Sequence, residues 1–217
     1  MRADTKGGRA PKRKVIMIFL VLAVCFLGGG FWFFRHRGDK GVAVKPKGEY
    51  PVGEVLAYYQ RDQDWKEDTL GSSSFHMGGS GCLTTCIASA LSTQAQSCET
   101  GYVITPGELN QKFGETGVYN SQGDIVWDKV KEALPEVEVT VASSVKGEDI
   151  EGLLALGRFP LVKVKVGGYG AFHWVLIVGS QEGEYLCMDP LREDGKLIPL
   201  SSHGTEVYRL RCVYWER

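Results

Sequence analysis

The chain has 217 residues, of which 43% are hydrophobic and 24% charged, and its formal net charge is −1. This length suits one domain of ordinary size plus extra segments, and the apolar content is enough to bury a core. A balance this close to neutral, with no basic stripe, offers no footing for nucleic-acid binding, and no nucleic-acid partner is expected.

Residues 1–14 carry Arg2, Lys6, Arg9, Lys12, Arg13 and Lys14 against a single acid, Asp4. The 20 residues Val15–Phe34 are then uncharged and almost entirely apolar. As a helix they would span roughly 30 Å, the hydrocarbon thickness of a bilayer. Trp32, Phe33 and Phe34, followed by Arg35 and Arg37, read as an interfacial belt. The run is longer than a signal-peptide core and has no Ala-x-Ala site, and the residue before Cys25 is Val24, where a lipoprotein signal wants a small one. The expected organisation is a cytoplasmic basic tail (1–14), one uncleaved transmembrane helix (15–34), a polar stalk (35–50) and a folded domain (51–217). The denser basic cluster on the N-terminal side places that domain outside the cytoplasm.

Within the domain, Cys82–Ser92 carries apolar residues at Leu83, Ile87, Ala90 and Leu91, the stripe of a buried helix. Thr105-Pro106-Gly107-Glu108 is a capping box with proline at the first helical position, opening a short helix that ends at Gly114. A third helix is expected over Asp124–Leu134 and a fourth over Glu148–Leu156. Strands are expected over Val137–Val141, Leu161–Val166, His173–Val178, Glu184–Met188 and Val207–Trp215. With helices first and antiparallel strands last, the fold class is α+β, the helices packed on one side of a twisted sheet.

Six cysteines stand at 25, 82, 86, 98, 187 and 212. No CxxC pair is present, so the spacing does not match a zinc site. With Cys82 kept free, Cys86 with Cys98 and Cys187 with Cys212 are the expected disulfides in an oxidising compartment; four buried thiols are the alternative.

Cys82 falls in the first turn of its helix, where unpaired N–H groups favour a thiolate. Gly78, Gly79 and Gly81 leave room for a substrate backbone and for the turn into the helix, and Ser80 is a candidate N-cap. His173 heads an apolar strand after a glycine-rich loop and can serve as base for the thiol and acid for a leaving amine. Asp189 follows at a distance that fits one strand, the turn Ser180–Gly183 and an antiparallel return. Hairpin pairing would set it beside His173, where it can orient the imidazole. Gln60 or Gln63, in the polar segment before Trp65, can supply an oxyanion donor alongside the Cys82 backbone N–H. His76 and His203 read as loop and turn residues. Trp127, Trp174 and Trp215 read as packing aromatics.

These segments together resemble a known family. Tyr59-Gln60-x-Asp62-x-x-Trp65, Ser80-Gly81-Cys82-Leu83-Thr84-Thr85, Gly170-Ala171-Phe172-His173-Trp174-Val175 and Tyr185-x-x-x-Asp189-Pro190 are similar, in this order, to the motifs of the C39-like cysteine peptidases of the papain-like superfamily. The resemblance covers about residues 55–192. It implies a papain-like fold with Cys82 as nucleophile, His173 as base, Asp189 as orienting residue and Gln60, rather than Gln63, as oxyanion donor. It implies a peptide or protein substrate and no metal or organic cofactor. Many relatives carry Gly-Cys-Gly-Pro around the nucleophile; Leu83-Thr84 stands here instead, so the substrate does not carry over. The chain has no Walker motif and its anchor points outward, which disfavours leader trimming inside the cell. Two other functions fit the same residues: an amidase or transpeptidase acting on cell-wall peptides, and a non-catalytic papain-like module that binds peptides.

Overall fold

The computed structural model describes residues 40–97 and 101–216. The basic tail, the apolar run Val15–Phe34, the first five residues of the expected stalk (35–39) and Cys98 lie outside the described residues. Among the described residues no helix is long and apolar enough to cross a membrane.

A long helix lies at the centre of the domain. After a short strand β1 (Val42–Ala43) and a one-turn helix α1 (Met77–Ser80), α2 runs over Cys82–Ala95, and every residue from Thr84 to Gln94 is buried. The expected apolar stripe is therefore wider than a stripe, as befits a helix covered on all sides. Its small polar residues make this possible. Ser89 Oγ accepts the Tyr58 N–H, Thr93 Oγ1 accepts the Leu56 N–H, and Ser92 Oγ both accepts from and donates to the Ile104 backbone. Buried extended segments beside α2 thus find partners on the helix itself. Helix α3 (Pro106–Glu115) begins with the expected capping box, Thr105 and Glu108 bonding each other's backbone N–H.

The expected helix over Asp124–Leu134 is mostly something else. Asn120 Oδ1 accepts the N–H groups of Gln122 and Asp124, and Tyr119 bridges Ile125. This loop takes Asp124 out of any N-cap role, and the β-branched Ile125 and Val126 stay extended. Only a 3-10 turn at Trp127–Lys129 and the short α4 (Val130–Ala133) are helical.

Strand β2 (Val137–Val141) and helix α5 (Gly147–Ala155) follow, then β3 (Leu161–Lys165), β4 (Phe172–Gln181), β5 (Glu184–Met188), β6 (Ile198–Pro199), β7 (Glu206–Val207) and β8 (Arg209–Trp215). The main sheet is antiparallel throughout, in the order β2-β8-β3-β4-β5-β6, and β1 pairs with β7. The class is α+β, but the helices do not all pack on one side. Leu161, Leu176, Val178 and Met188 share a core with Ile87 of α2, whereas Val162, Val164, Val175, Ile177 and Cys187 share one with Ile150 and Leu154 of α5. β3 and β4 put apolar residues on both faces, and each demands a cover. The compact unit also starts at Gly41 rather than near Pro51. Val44 is buried in the second core, and Tyr50 bridges Ser180 through two backbone hydrogen bonds of 3.1 Å.

The β4–β5 hairpin carries the detail that positions the site. From its turn the pairs are Gln181↔Glu184, Ser180↔Tyr185 and Gly179↔Leu186; the register then shifts to Ile177↔Cys187 and Leu176↔Met188, leaving Val178 as the extra residue of a β-bulge. An unbroken hairpin would have set Asp189 opposite Leu176, on the α2 face. With the bulge, Asp189 follows on opposite Val175. Since Val162 pairs with Val175 and Val164 with His173, this is the face that carries His173. A one-residue slip changes faces because the side-chain period of a strand is two.

Gly179 belongs to this device. A Cβ there would come within 2.7 Å of Tyr50 O and Val52 Cγ2. Gly179→Ala is expected to lower stability by about 1–3 kcal/mol, the usual cost of overpacking, measured by urea denaturation. An unchanged midpoint would mean that the Tyr50–Val52 segment yields instead.

Candidate active site

Cys82 stands at the first position of α2 and is half-buried. Ser80 is not the N-cap. Gly81 holds that place without any side-chain cap, because α1 runs almost directly into α2, with Gly81 N–H donating to Met77 O and Thr85 N–H to Gly81 O. The three glycines also divide differently from the expectation. A Cβ at Gly81 would strike Met77 Sδ at 2.6 Å and one at Gly78 would strike Lys66 O at 2.9 Å, so both serve internal packing. Gly79 alone faces open space. It lies in an open cleft of about 640 Å³ beside Ser80, Tyr59, Arg61, Lys66 and Phe75. His76 also lines this cleft; it is exposed, with Nδ1 2.8 Å from Glu67 O.

His173 is buried, 4% exposed, at the start of β4. Its Nε2 lies 2.7 Å from Asp189 Oδ1, and the Cys82 sulfur is near enough to the ring to help raise its pKa. With Nε2 taken by Asp189, Nδ1 is the nitrogen left for the sulfur. Burial pulls the imidazole pKa down, but the bonds and negative charges of Asp189 and Cys82 outweigh it, and the value stands raised from the ordinary 6.5 to about 9. Asp189 is 6% exposed. Burial pushes its pKa up, but hydrogen bonds from His173, from His203 and from the Leu191 N–H hold it well below the usual carboxylate range.

Gln60 is buried and tied on two sides. Its backbone N–H donates to Pro190 O at 2.8 Å, and its Nε2 donates to Gly78 O at 3.0 Å. The Gly78 carbonyl decides which end of the amide is nitrogen, and one N–H of that nitrogen remains for a further acceptor. Gln60 thus joins the residue after Asp189 to α1, the short helix that leads into the Cys82 helix. Gln63 lines the open cleft and makes no such link.

His203 was expected to be a turn residue and nothing more. It does sit in a turn, but it is 6% exposed and its Nε2 lies 3.1 Å from Asp189 Oδ2. The only sequence signal for this would have been the glycine pair Gly168 and Gly204, whose close approach brings the turn against the loop before His173. Trp174 is half-buried against the α2 core, and Trp215 is buried in it.

The expected disulfides are not formed. Cys82, Cys86, Cys187 and Cys212 are free thiols. Cys187 on β5 and Cys212 on β8 are separated by β4 and β3; three strand spacings of about 4.8 Å are far beyond disulfide reach. Cys86 is fully buried, with Sγ 3.4 Å from Trp174 O, and burial pushes its thiol pKa well up. Burial likewise raises Cys212 to about 12.

No family model matches the chain, and no curated protein matches it.

The pKa directions carry a pH signature. His173 is raised on folding, so its contribution to stability is complete below pH 6.5 and is lost as pH rises through about 9. Asp189 is lowered, so its contribution is present above its ordinary 3.8 and is lost as pH falls towards its folded value. The urea midpoint is therefore expected to decline between pH 6.5 and 9. His173→Gln should remove that decline, and Cys82→Ala should shift it to lower pH by deleting the sulfur that helps hold the imidazolium.

Proposed function

We propose that this chain is a cysteine peptidase of papain-like fold whose catalytic residues are Cys82, His173, Asp189 and Gln60. The single observation that carries the reading is a half-buried sulfur at a helix start beside a buried imidazole whose pKa it helps raise, the imidazole in turn bonded to a buried carboxylate. The resemblance of the four sequence segments to C39-like peptidases supports it.

In this mechanism Cys82 passes its thiol proton to His173 and its Sγ attacks the carbonyl carbon of a peptide bond, the C=O π pair moving to oxygen. The tetrahedral oxyanion is held by the Cys82 backbone N–H and by Gln60 Nε2. As the intermediate collapses, the C–N bond breaks and the amine leaves with a proton from His173. The resulting thioester is attacked by water, which gives a proton to His173, and the thiol is released. Asp189 keeps the imidazole in the tautomer and orientation that both steps need. The apolar run Val15–Phe34 would tether the domain to the membrane on its extracytoplasmic side.

A thiol-directed activity probe applied to the full chain should label Cys82, and Cys82→Ala should abolish both labelling and hydrolysis of unfolded protein. Full hydrolase activity in Cys82→Ala would sink the assignment. Gln60→Ala is expected to lower kcat about 10²–10³-fold, as loss of one oxyanion donor does. Turnover of purified wall peptides with no turnover of unfolded protein would redirect the same residues to an amidase or transpeptidase.

A further inference from the structure

Asp189 has two oxygens, and only one of them serves His173. Oδ1 takes His173 Nε2 at 2.7 Å and the Leu191 N–H at 2.9 Å, while Oδ2 takes His203 Nε2 at 3.1 Å. The two imidazoles lie 5.8 Å apart between ring centroids. They approach different oxygens of the carboxylate rather than converging on a common point, and among the described residues no group of side chains is arranged to hold a metal.

His203 is held where it is by more than the carboxylate. It sits beyond β6 in a run of tight turns, with Ser202 N–H donating to Pro199 O, His203 N–H to Leu200 O and Gly204 N–H to Ser201 O. The run is anchored to β5 by the Leu200 N–H, which donates to Tyr185 O at 2.8 Å. Gly204 adopts φ 72°, and a Cβ on it would meet Gly168 Cα at 3.1 Å. The turn bearing His203 and the glycine loop ahead of His173 therefore touch backbone to backbone. His203 Nδ1 is buried without a hydrogen-bond partner. A bare acceptor in that position is less costly than an unpaired N–H, so the ring proton belongs on Nε2, aimed at Asp189.

We propose that His203 is a positioning residue for the thiol nucleophile: it fixes Oδ2 of Asp189 so that Oδ1 stays directed at His173. This rests on the assignment of Cys82 and His173 as nucleophile and base. The carboxylate hangs on a torsion that is soft on its own. A donor on each oxygen sets that torsion, and the Leu191 N–H shares the oxygen that His173 uses. Beside the two histidines, the titratable groups around Asp189 are Cys86 on α2, Cys187 on β5 and Arg192 in the following loop. Burial raises both thiols, and Asp194 raises Arg192, so none of the three changes charge near neutral pH.

The test is the pH profile of Cys82 alkylation by iodoacetate in the full chain, with the modified residue mapped by mass spectrometry. The reagent's carboxylate is drawn by the His173 imidazolium, so the rate should fall along an alkaline limb centred near pH 9. His203→Leu keeps bulk and deletes the donor, and should move that limb down by about half to one pH unit. His203→Gln places an amide N–H near the former Nε2 and should restore it. A folded His203→Leu chain with the limb unmoved overturns the proposal. Should the leucine variant not fold, His203→Asn, whose amide falls one bond short, takes its place: a limb equal to that of His203→Gln overturns the proposal, and a lower one supports it. A wild-type limb that His173→Gln fails to abolish refutes the nucleophile assignment itself, a result separate from any outcome at position 203.

Discussion

The carboxylate of Asp189 is the constraint around which the rest of the domain is arranged. A charge this deeply buried is costly unless it is fully bonded, and its cost falls on whatever elements must supply the donors. Three are needed here, and they come from three places: β4, the backbone just after β5, and the turn beyond β6. Each donor demands a scaffold. The sheet register brings His173, the Asp-Pro turn brings the Leu191 N–H, and the Gly168–Gly204 approach brings His203. Gln60, its N–H bonded to Pro190 O and its Nε2 to Gly78 O, then couples the same corner to α1, which runs into α2. The position of the sulfur is set through this chain of connections and not by the helix alone.

The hairpin that delivers Asp189 buries apolar residues on both faces, which leaves it no freedom of register. A strand with one wet face can slip and merely change what it shows to solvent; a slip in β4 would exchange the residues of two cores. The bulge at Val178 is the one place where the alternation is broken, and the break is bounded by a glycine over which the Tyr50–Val52 segment passes closely. The residues expected to form a free stalk are thus part of what holds the hairpin. Their backbone pairs with Ser180, and Ser180 Oγ donates to Gly48 O.

Much of this was legible in the chain, and the failures have physical causes. The capping box at Thr105 and the alternation of Val137–Val141 are local signals, and both elements stand where they were expected. Counting along a plain hairpin brings His173 and Asp189 together. The count reached the right neighbours, but a plain hairpin would have put them on opposite faces; the bulge that reconciles the two depends on a segment more than 120 residues earlier in the chain. The helix expected at Asp124 lost to the Asn120 side chain, which offers the same N–H groups a turn. His203 was invisible because its role is purely tertiary: nothing in Ser201-Ser202-His203-Gly204 says which carboxylate the turn will fold against. The stalk packs without a sequence signal because a polar, glycine-bearing run contributes single residues to the core, Val44 among them, without any periodicity.

Two cysteines one helical turn apart show how differently the same group can be placed. Cys82 and Cys86 lie on neighbouring turns of α2, close enough for charge on one to act on the other. Cys86 is sealed between α2 and β4, where burial and the negative charges at Cys82 and Asp189 all oppose its ionisation. Cys82 is at the end of the helix, half-exposed, with an imidazole instead of a carbonyl as its neighbour. Packing alone gives no reason for that difference. A buried ion pair contributes little net stability, and an apolar set of the same volume would serve the core as well or better. A carboxylate bonded by two histidines, ending in a sulfur that reaches solvent, is an arrangement that stability does not require, and it is on this ground that the site is read as chemistry.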